Sequence, residues 1–170
     1  MVVILLADGF EEVEALAPAD ILRRMGIPVV LAGVSGKQVT GSHGIEVTAD
    51  KTLNQLKNET PEAVILPGGM PGAKNLAASS AVAAMVRRTY EAGGILGAIC
   101  AAPMVLGKLG LLEGRKATCY PGFEEELSGA EVLPQEKVVV DGKFVTARSA
   151  GAAFEFGFAL GTLLKDETEA

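Results

Sequence analysis

Tryptophan is absent from this 170-residue chain, and aromatic residues of any kind make up only 5% of it. Proteins that stack nucleic-acid bases need aromatic platforms, so that mode of binding is not expected. Basic runs are missing too, and the net charge is −6. Phosphate backbones attract basic faces, so no nucleic-acid partner is expected. Cysteine occurs twice, at Cys100 and Cys119, and histidine once, at His43. Two cysteines make no disulfide framework, which points to a reducing, cytoplasmic setting. With a single histidine they do not compose a ligand set either, so no metal site is expected. No stretch approaches the roughly 18 apolar residues of a membrane span. The opening MVVILLADGF is too short, and lacks the basic flank, for a signal peptide.

What is present is a core. Hydrophobic residues make up 49% of the chain and charged residues 21%. A chain of this length buries roughly 70% of the surface it exposes when unfolded. One soluble domain spanning residues 1–170 is the expectation.

The hydrophobic pattern alternates between two periods. Val2–Leu6, Val29–Ala32, Ala63–Leu66 and Ile95–Ile99 are continuous apolar runs rich in β-branched residues, as in strands buried on both faces. Between them lie helical stretches: 10–25, with Val13, Leu16, Ala17, Ile21 and Leu22 on its core face and Gly26 at its end; 80–92, stopped by Gly93-Gly94; and 102–109. A helical turn falls near 53–56, and a short strand at 116–118. Two hairpins are predicted, pairing 38–40 with 45–48 and 137–140 with 144–146, the second across Asp141-Gly142. A last helix covers 152–164, and the charged tail 165–170 is expected to fray. Strands alternating with helices define an α/β fold with a mainly parallel central sheet.

Ligands of such sheets bind beyond the carboxyl ends of the strands. Three chemically distinctive segments fall there: Asp8-Gly9-Phe10-Glu11, Pro67-Gly68-Gly69-Met70 and Ile99-Cys100-Ala101-Ala102. Cys100 stands where a buried strand becomes a helix, among small neighbours that suit a tight turn. The helix N-terminus behind it favours the thiolate, the nucleophilic form. The alternative is an inert core cysteine. Gly68 and Gly69 let the backbone approach a ligand, and their N–H groups, with that of Ala101, form a candidate oxyanion site; a plain strand-to-helix turn would look the same. Glu11, Glu12 and Glu14 open the first helix. They suit its dipole as a solvated cluster, but a carboxyl near a thiol can also serve as general acid or base. With Val13 facing the core, Glu12 and Glu14 need not share one environment. His43, in a Gly-rich turn, is a surface residue or an accessory to the site.

At these residues the chain resembles the ThiJ/PfpI superfamily, in the branch of the Parkinson-disease protein DJ-1. The resemblance rests on ADGFEEVEA after the first strand, VILPGGMPGAKNL, GAICAAP at the elbow and ARSAGAAFEFG near the end, in order along nearly the whole chain. It implies a flavodoxin-like sandwich, a homodimer, and no cofactor. It implies that Cys100 is the nucleophile, that Glu14 hydrogen-bonds it, and that Gly69 and Ala101 donate to the oxyanion. The activities implied are those of a glutathione-independent glyoxalase or protein deglycase, acting on a small α-oxoaldehyde or a glycated protein; the alternative is an oxidative-stress sensor or redox-regulated chaperone using the same cysteine.

Departures narrow this. The protease-like branch carries histidine directly after its cysteine; Ala101 stands there, so a peptidase is not expected. Glutamine amidotransferases need a later His-x-Glu that is absent. The acidic Asp8-Gly9-Phe10-Glu11 turn would repel the phosphate that flavodoxins bind. Tyr120 replaces the branch's histidine, and His43 replaces its arginine at a position that reaches toward the partner's site. Arg148, in the ARSAGAAFEFG segment, is a further candidate accessory residue. The chain stops soon after the last helix, without the extra C-terminal helix of the human-type protein.

Overall fold

A computed structural model describes residues 1–169, with backbone alone for 167–169. The long apolar runs become the strands β1 (Val2–Leu6), β2 (Val29–Gly33), β6 (Ala63–Leu66) and β7 (Ile95–Ile99), nearly all of whose residues are buried. Between β2 and β6 lie β3 (Gln38–Thr40), β4 (Glu46–Thr48) and β5 (Lys51–Thr52). Later come β8 (Lys116–Ala117), β9 (Glu131–Val132), β10 (Val138–Asp141) and β11 (Phe144–Ala147). The central sheet runs β10-β11-β7-β6-β1-β2-β5, and only the β10–β11 pair is antiparallel. The registers Val2↔Val29 and Val2↔Ala63 align the carboxyl ends of β1, β2 and β6, and Leu66↔Ala98 brings β7 level with them. The three chemically distinctive segments therefore meet at one edge of the sheet.

Helices cover both faces. On one side lie α2 (Gly72–Ala78), α3 (Ser80–Glu91) and α4 (Pro103–Lys108), whose Leu76, Val82, Met85, Val86 and Leu106 join Val3, Leu5, Val64 and Leu96 in one core. On the other lie α1 (Glu12–Arg24) and α5 (Ala153–Glu169), whose Ala15, Leu22, Phe156 and Leu160 join Val2, Ile4, Ile65 and Ile95. α5 packs closely on α1 because two of its residues lack side chains. A Cβ at Gly157 would meet Ile21 Cδ1 at 2.9 Å, and one at Gly161 would strike Met25.

Both predicted hairpins form, as β3–β4 and β10–β11. Three expectations need correction. The core face of α1 is shifted in part: Ile21 and Leu22 are buried as expected, but Glu12, Glu14, Ala15, Pro18 and Ala19 are buried with them, Leu16 and Ala17 are half-buried, and Val13 is 38% exposed. An apolar count assigned the stripe to Val13 and Leu16 because it could not credit a glutamate with burial. Second, the helix expected from residue 80 is preceded by a separate one, α2, for which Pro71 stands as the N-cap. Third, the last helix is longer than expected: α5 continues past 164 to Glu169, and Ala170 lies outside the described residues. Among the described residues, no helix is long and apolar enough to cross a membrane.

Candidate active site

Cys100 has φ of 66°, the only positive value outside glycine among the described residues. An L-residue held in that left-handed region costs on the order of 1–3 kcal/mol, so neighbouring structure must enforce it. Its N–H donates to Ala147 O at 2.9 Å, and its carbonyl accepts from Tyr120 N–H at 2.8 Å. These bonds tie the elbow to β11 on one side and to the loop after β8 on the other.

Glu14 reaches the same point from α1. Its side chain is fully buried, and Oε1 accepts the Gly68 N–H at 2.9 Å. Oε2 is buried without an oriented hydrogen-bond partner. The Cys100 thiol interacts directly with the carboxyl. Only glycine fits between them: a Cβ on Gly68 would lie 2.6 Å from Glu14 Oε1 and 2.7 Å from Cys100 Cβ. The N–H of Gly68 is thus spent on Glu14, which removes it from the predicted oxyanion donors. The Ala101 and Gly69 N–H groups favour the charged form of the Cys100 sulfur.

The electrostatics reverse one expectation. The Cys100 thiol is pushed up to about 12, by burial first and then by the Glu14 carboxylate and its hydrogen bond; the Ala101 and Gly69 N–H groups pull it down. The helix behind it, α4, has only six residues, too little to overturn burial. Glu14 is itself pushed up to about 7, by burial above all, with Glu11 adding to it and the Cys100 thiol and Gly68 N–H opposing. Groups this close titrate as a pair. The first proton leaves near neutral pH and the second far above it. Between those values the single charge rests mainly on Glu14, and the thiolate beside a neutral carboxylic acid is the minor tautomer of the same pair.

The hairpin β3–β4 is fastened to the start of α1 by Glu12, which is 6% exposed. Its carboxylate accepts N–H bonds from His43 at 2.9 Å and from Ile45 at 3.2 Å, and the His43 ring at 3.3 Å. Burial opposes its charge, but these bonds and that of its own backbone N–H outweigh it and hold Glu12 below the usual carboxylate range. A Cβ at Gly41 would strike the Glu12 carboxyl, so the turn must pass without a side chain there. Glu11 donates its N–H to Gly68 O at 2.9 Å, which links this clamp to the glycine loop. Sequence reasoning missed this role of Glu12; a buried acid facing a Gly-Ser-His-Gly turn gives no periodic signal.

The accessory candidates are dispersed. His43 Nδ1 lies 3.1 Å from Glu11 Oε1, with its side chain 68% exposed. Glu11, Glu12 and His43 bring potential ligand atoms within 4.8 Å of one another, a grouping not anticipated from the cysteine and histidine count. Glu12's oxygens there are already taken by N–H donors. Tyr120 joins the site through its backbone, while its exposed ring lies edge-on to Phe123 at 6.5 Å. Arg148 directly follows β11 and donates its N–H to Lys137 O; its guanidinium makes no bond among the described residues. Cys119 is 3% exposed and is pushed up to about 11 by burial and by Glu124. It packs on the α3 side of the sheet, whereas Cys100 packs against the α1–α5 side.

The site thus joins a strained elbow cysteine to a buried carboxyl at the carboxyl edge of a doubly covered, mainly parallel sheet. The model of the DJ-1/PfpI family matches residues 1–162, and the chain belongs to that family. Protein dj-1beta of Drosophila melanogaster is 39% identical over 90% of this chain and 83% of its own length. A solved structure from Salmonella typhimurium, a cysteine-to-alanine variant of the DJ-1 superfamily protein STM1931, superposes with a TM-score of 0.93 at 37% identity, over 97% of this chain and 90% of that one. The fold is accordingly the flavodoxin-like sandwich of that family. Two relatives carry an activity in their names. The glutathione-independent glyoxalase DJR-1.2 of Caenorhabditis elegans is 32% identical over 91% of this chain and 82% of its own. Deglycase PH1704 of Pyrococcus horikoshii is 35% identical over 86% and 89%.

Proposed function

We propose that this chain is a cofactor-free, cysteine-dependent enzyme of the glyoxalase or deglycase type, acting on methylglyoxal-like α-oxoaldehydes or their early protein adducts. The observation that carries the reading is the Cys100–Glu14 pair, joined through Gly68 and flanked by two N–H donors. The names of the two relatives supply the substrate class.

In the thiolate tautomer, Cys100 sulfur adds to the aldehyde carbon to give a hemithioacetal. The Gly69 and Ala101 N–H groups hold the oxygen as it gains charge. Glu14 gives its proton to that oxygen; the carboxylate so formed then removes the proton from the same carbon and returns it to the neighbouring carbonyl carbon, while the hydroxyl proton passes to the neighbouring oxygen. A carboxyl whose pKa lies near 7 is suited to these transfers at neutral pH. The product of this shift is a thioester of the 2-hydroxy acid, and one water releases the acid and restores the thiol. Oxidation at one carbon balances reduction at the next, so no redox cofactor is needed. Methylglyoxal should yield lactate without glutathione, and a protein with no such turnover would overturn the reading.

The reading includes a homodimer. Phe154 and Phe158, one turn apart on α5, are 57% and 56% exposed, and Val13 stands exposed on the neighbouring α1. Such surface favours a second copy of the chain, and light scattering should show a dimer at micromolar concentration; a monomer would remove this part of the reading.

A second reading, a redox sensor, draws on the same pair. A protonated Glu14 beside the sulfur can donate a hydrogen bond to a sulfinate oxygen. Peroxide should then oxidise Cys100 before Cys119 and stop at the sulfinate, as read by peptide mass spectrometry. Equal oxidation of both cysteines would contradict it.

A further inference from the structure

A cavity of about 210 Å³ opens on the face of the sheet carrying α3, between that helix and the 3₁₀ turn Asn54–Leu56. Its apolar walls come from Val34, Leu53, Ala81 and Ala84. Its only charged lining residues among those described are both cations, Lys57 and Arg88, in a protein of net charge −6. Neither forms an ion pair among the described residues. The Arg88 guanidinium is held in place: Nε and Nη2 both donate to Glu59 O, at 3.2 and 3.1 Å, which leaves its remaining N–H groups for a ligand. Val34 follows β2, and β2 stands three strands from β7, about 14 Å at ordinary strand spacing. The cavity is therefore separate from the Cys100 elbow.

We infer that this cavity is a binding site for a small amphipathic anion, a short apolar tail with one carboxylate or similar head. The tail would lie on the alanine face of α3 and on Leu53, and the head between Lys57 and Arg88. At roughly 30 Å³ per water, the space equals about seven waters, which suits a tail of about six carbons and is too small for a drug-sized ligand. A neutral molecule would forgo both cations. A larger anion would not enter, and a purely inorganic one would leave the walls wet.

The test is an amide-shift titration of the isotope-labelled protein with hexanoate, and with 1-hexanol as the uncharged match. Hexanoate should give saturable shifts confined to residues around Val34, Leu53, Ala81 and Ala84. Hexanol should bind more weakly. The Lys57→Ala, Arg88→Ala double variant should lose roughly tenfold in affinity, as expected for two partly exposed charge contacts. Ala84→Leu, which keeps both charges and adds a good helix former to an exposed position, should abolish binding by filling the space. Shifts that do not saturate or are scattered over the surface, equal binding of hexanol, or unaltered affinity in both variants would overturn the inference. Because the readout is binding, the result does not depend on whether Cys100 turns over oxoaldehydes.

Discussion

Glu12 and Glu14 stand two residues apart on one helix, both removed from water, and they behave in opposite ways. Glu12 receives N–H donors from a turn that wraps around it, and its charge is held. Glu14 receives one N–H, leaves an oxygen without a partner, and faces a thiol, so its charge is resisted. Burial alone does not decide what a carboxylate does; the number of donors aimed at it does. A satisfied acid is a structural clamp. An under-satisfied one keeps its proton to neutral pH and can pass it on.

That contrast is open to four perturbations. The largest effect is expected where the partner of Glu14 is removed: Cys100→Ala should abolish conversion of methylglyoxal to lactate, whereas Cys119→Ser should stay near wild type. Full turnover in Cys100→Ala would refute a covalent route.

Glu14→Gln should lower turnover by roughly 10²–10⁴, the usual worth of acid–base catalysis. It should also stabilise the fold above neutral pH. A carboxyl raised from 4.5 to about 7 contributes stability that is complete below pH 4.5 and is lost as pH rises through 7. Removing that loss is worth up to about 3 kcal/mol at pH 8, and nearly nothing at pH 4. Urea unfolding of the two proteins at both pH values checks the sign.

Glu12→Ala should act oppositely. The His43 and Ile45 N–H groups would lose their acceptor, at a cost of about 2 kcal/mol, at neutral pH. Increased amide exchange should be concentrated at residues 41–45. If Glu12→Ala left stability unchanged while Glu14→Gln lowered it, the comparison would be reversed. The smallest effect is expected for His43→Ala, whose ring is largely exposed: the fold should be intact and turnover changed only modestly. A large loss of stability there would show that the ring, rather than the backbone N–H, holds Glu12.

Much of this was legible in the sequence. The four buried strands announce themselves as apolar runs, and the strand–cysteine–helix pattern places Cys100 at the sheet's carboxyl edge. The hairpin turns carry their own residues, Asp141-Gly142 above all. Three things were not legible, for one reason: periodicity counts apolar residues and cannot see a polar group that tertiary structure satisfies. Glu14 occupies a core position of α1, so the stripe was assigned to Val13, which is exposed. Glu12 fits its turn only because Gly41 leaves room. The N–H of Gly68, equivalent in sequence to that of Gly69, is assigned by Glu14 and not by any local signal.

The central claim is that Cys100 and Glu14 share one ionisation near neutral pH, and the pH dependence of Cys100 alkylation tests it most directly. Reaction with iodoacetamide, followed by peptide mass, should rise through a step near pH 7 in the wild type, as the pair loses its first proton, and then level off. In Glu14→Gln, which has no proton to share, that step should vanish. A single step in the range of an ordinary thiol, near pH 8.5 and identical in both proteins, would contradict the account.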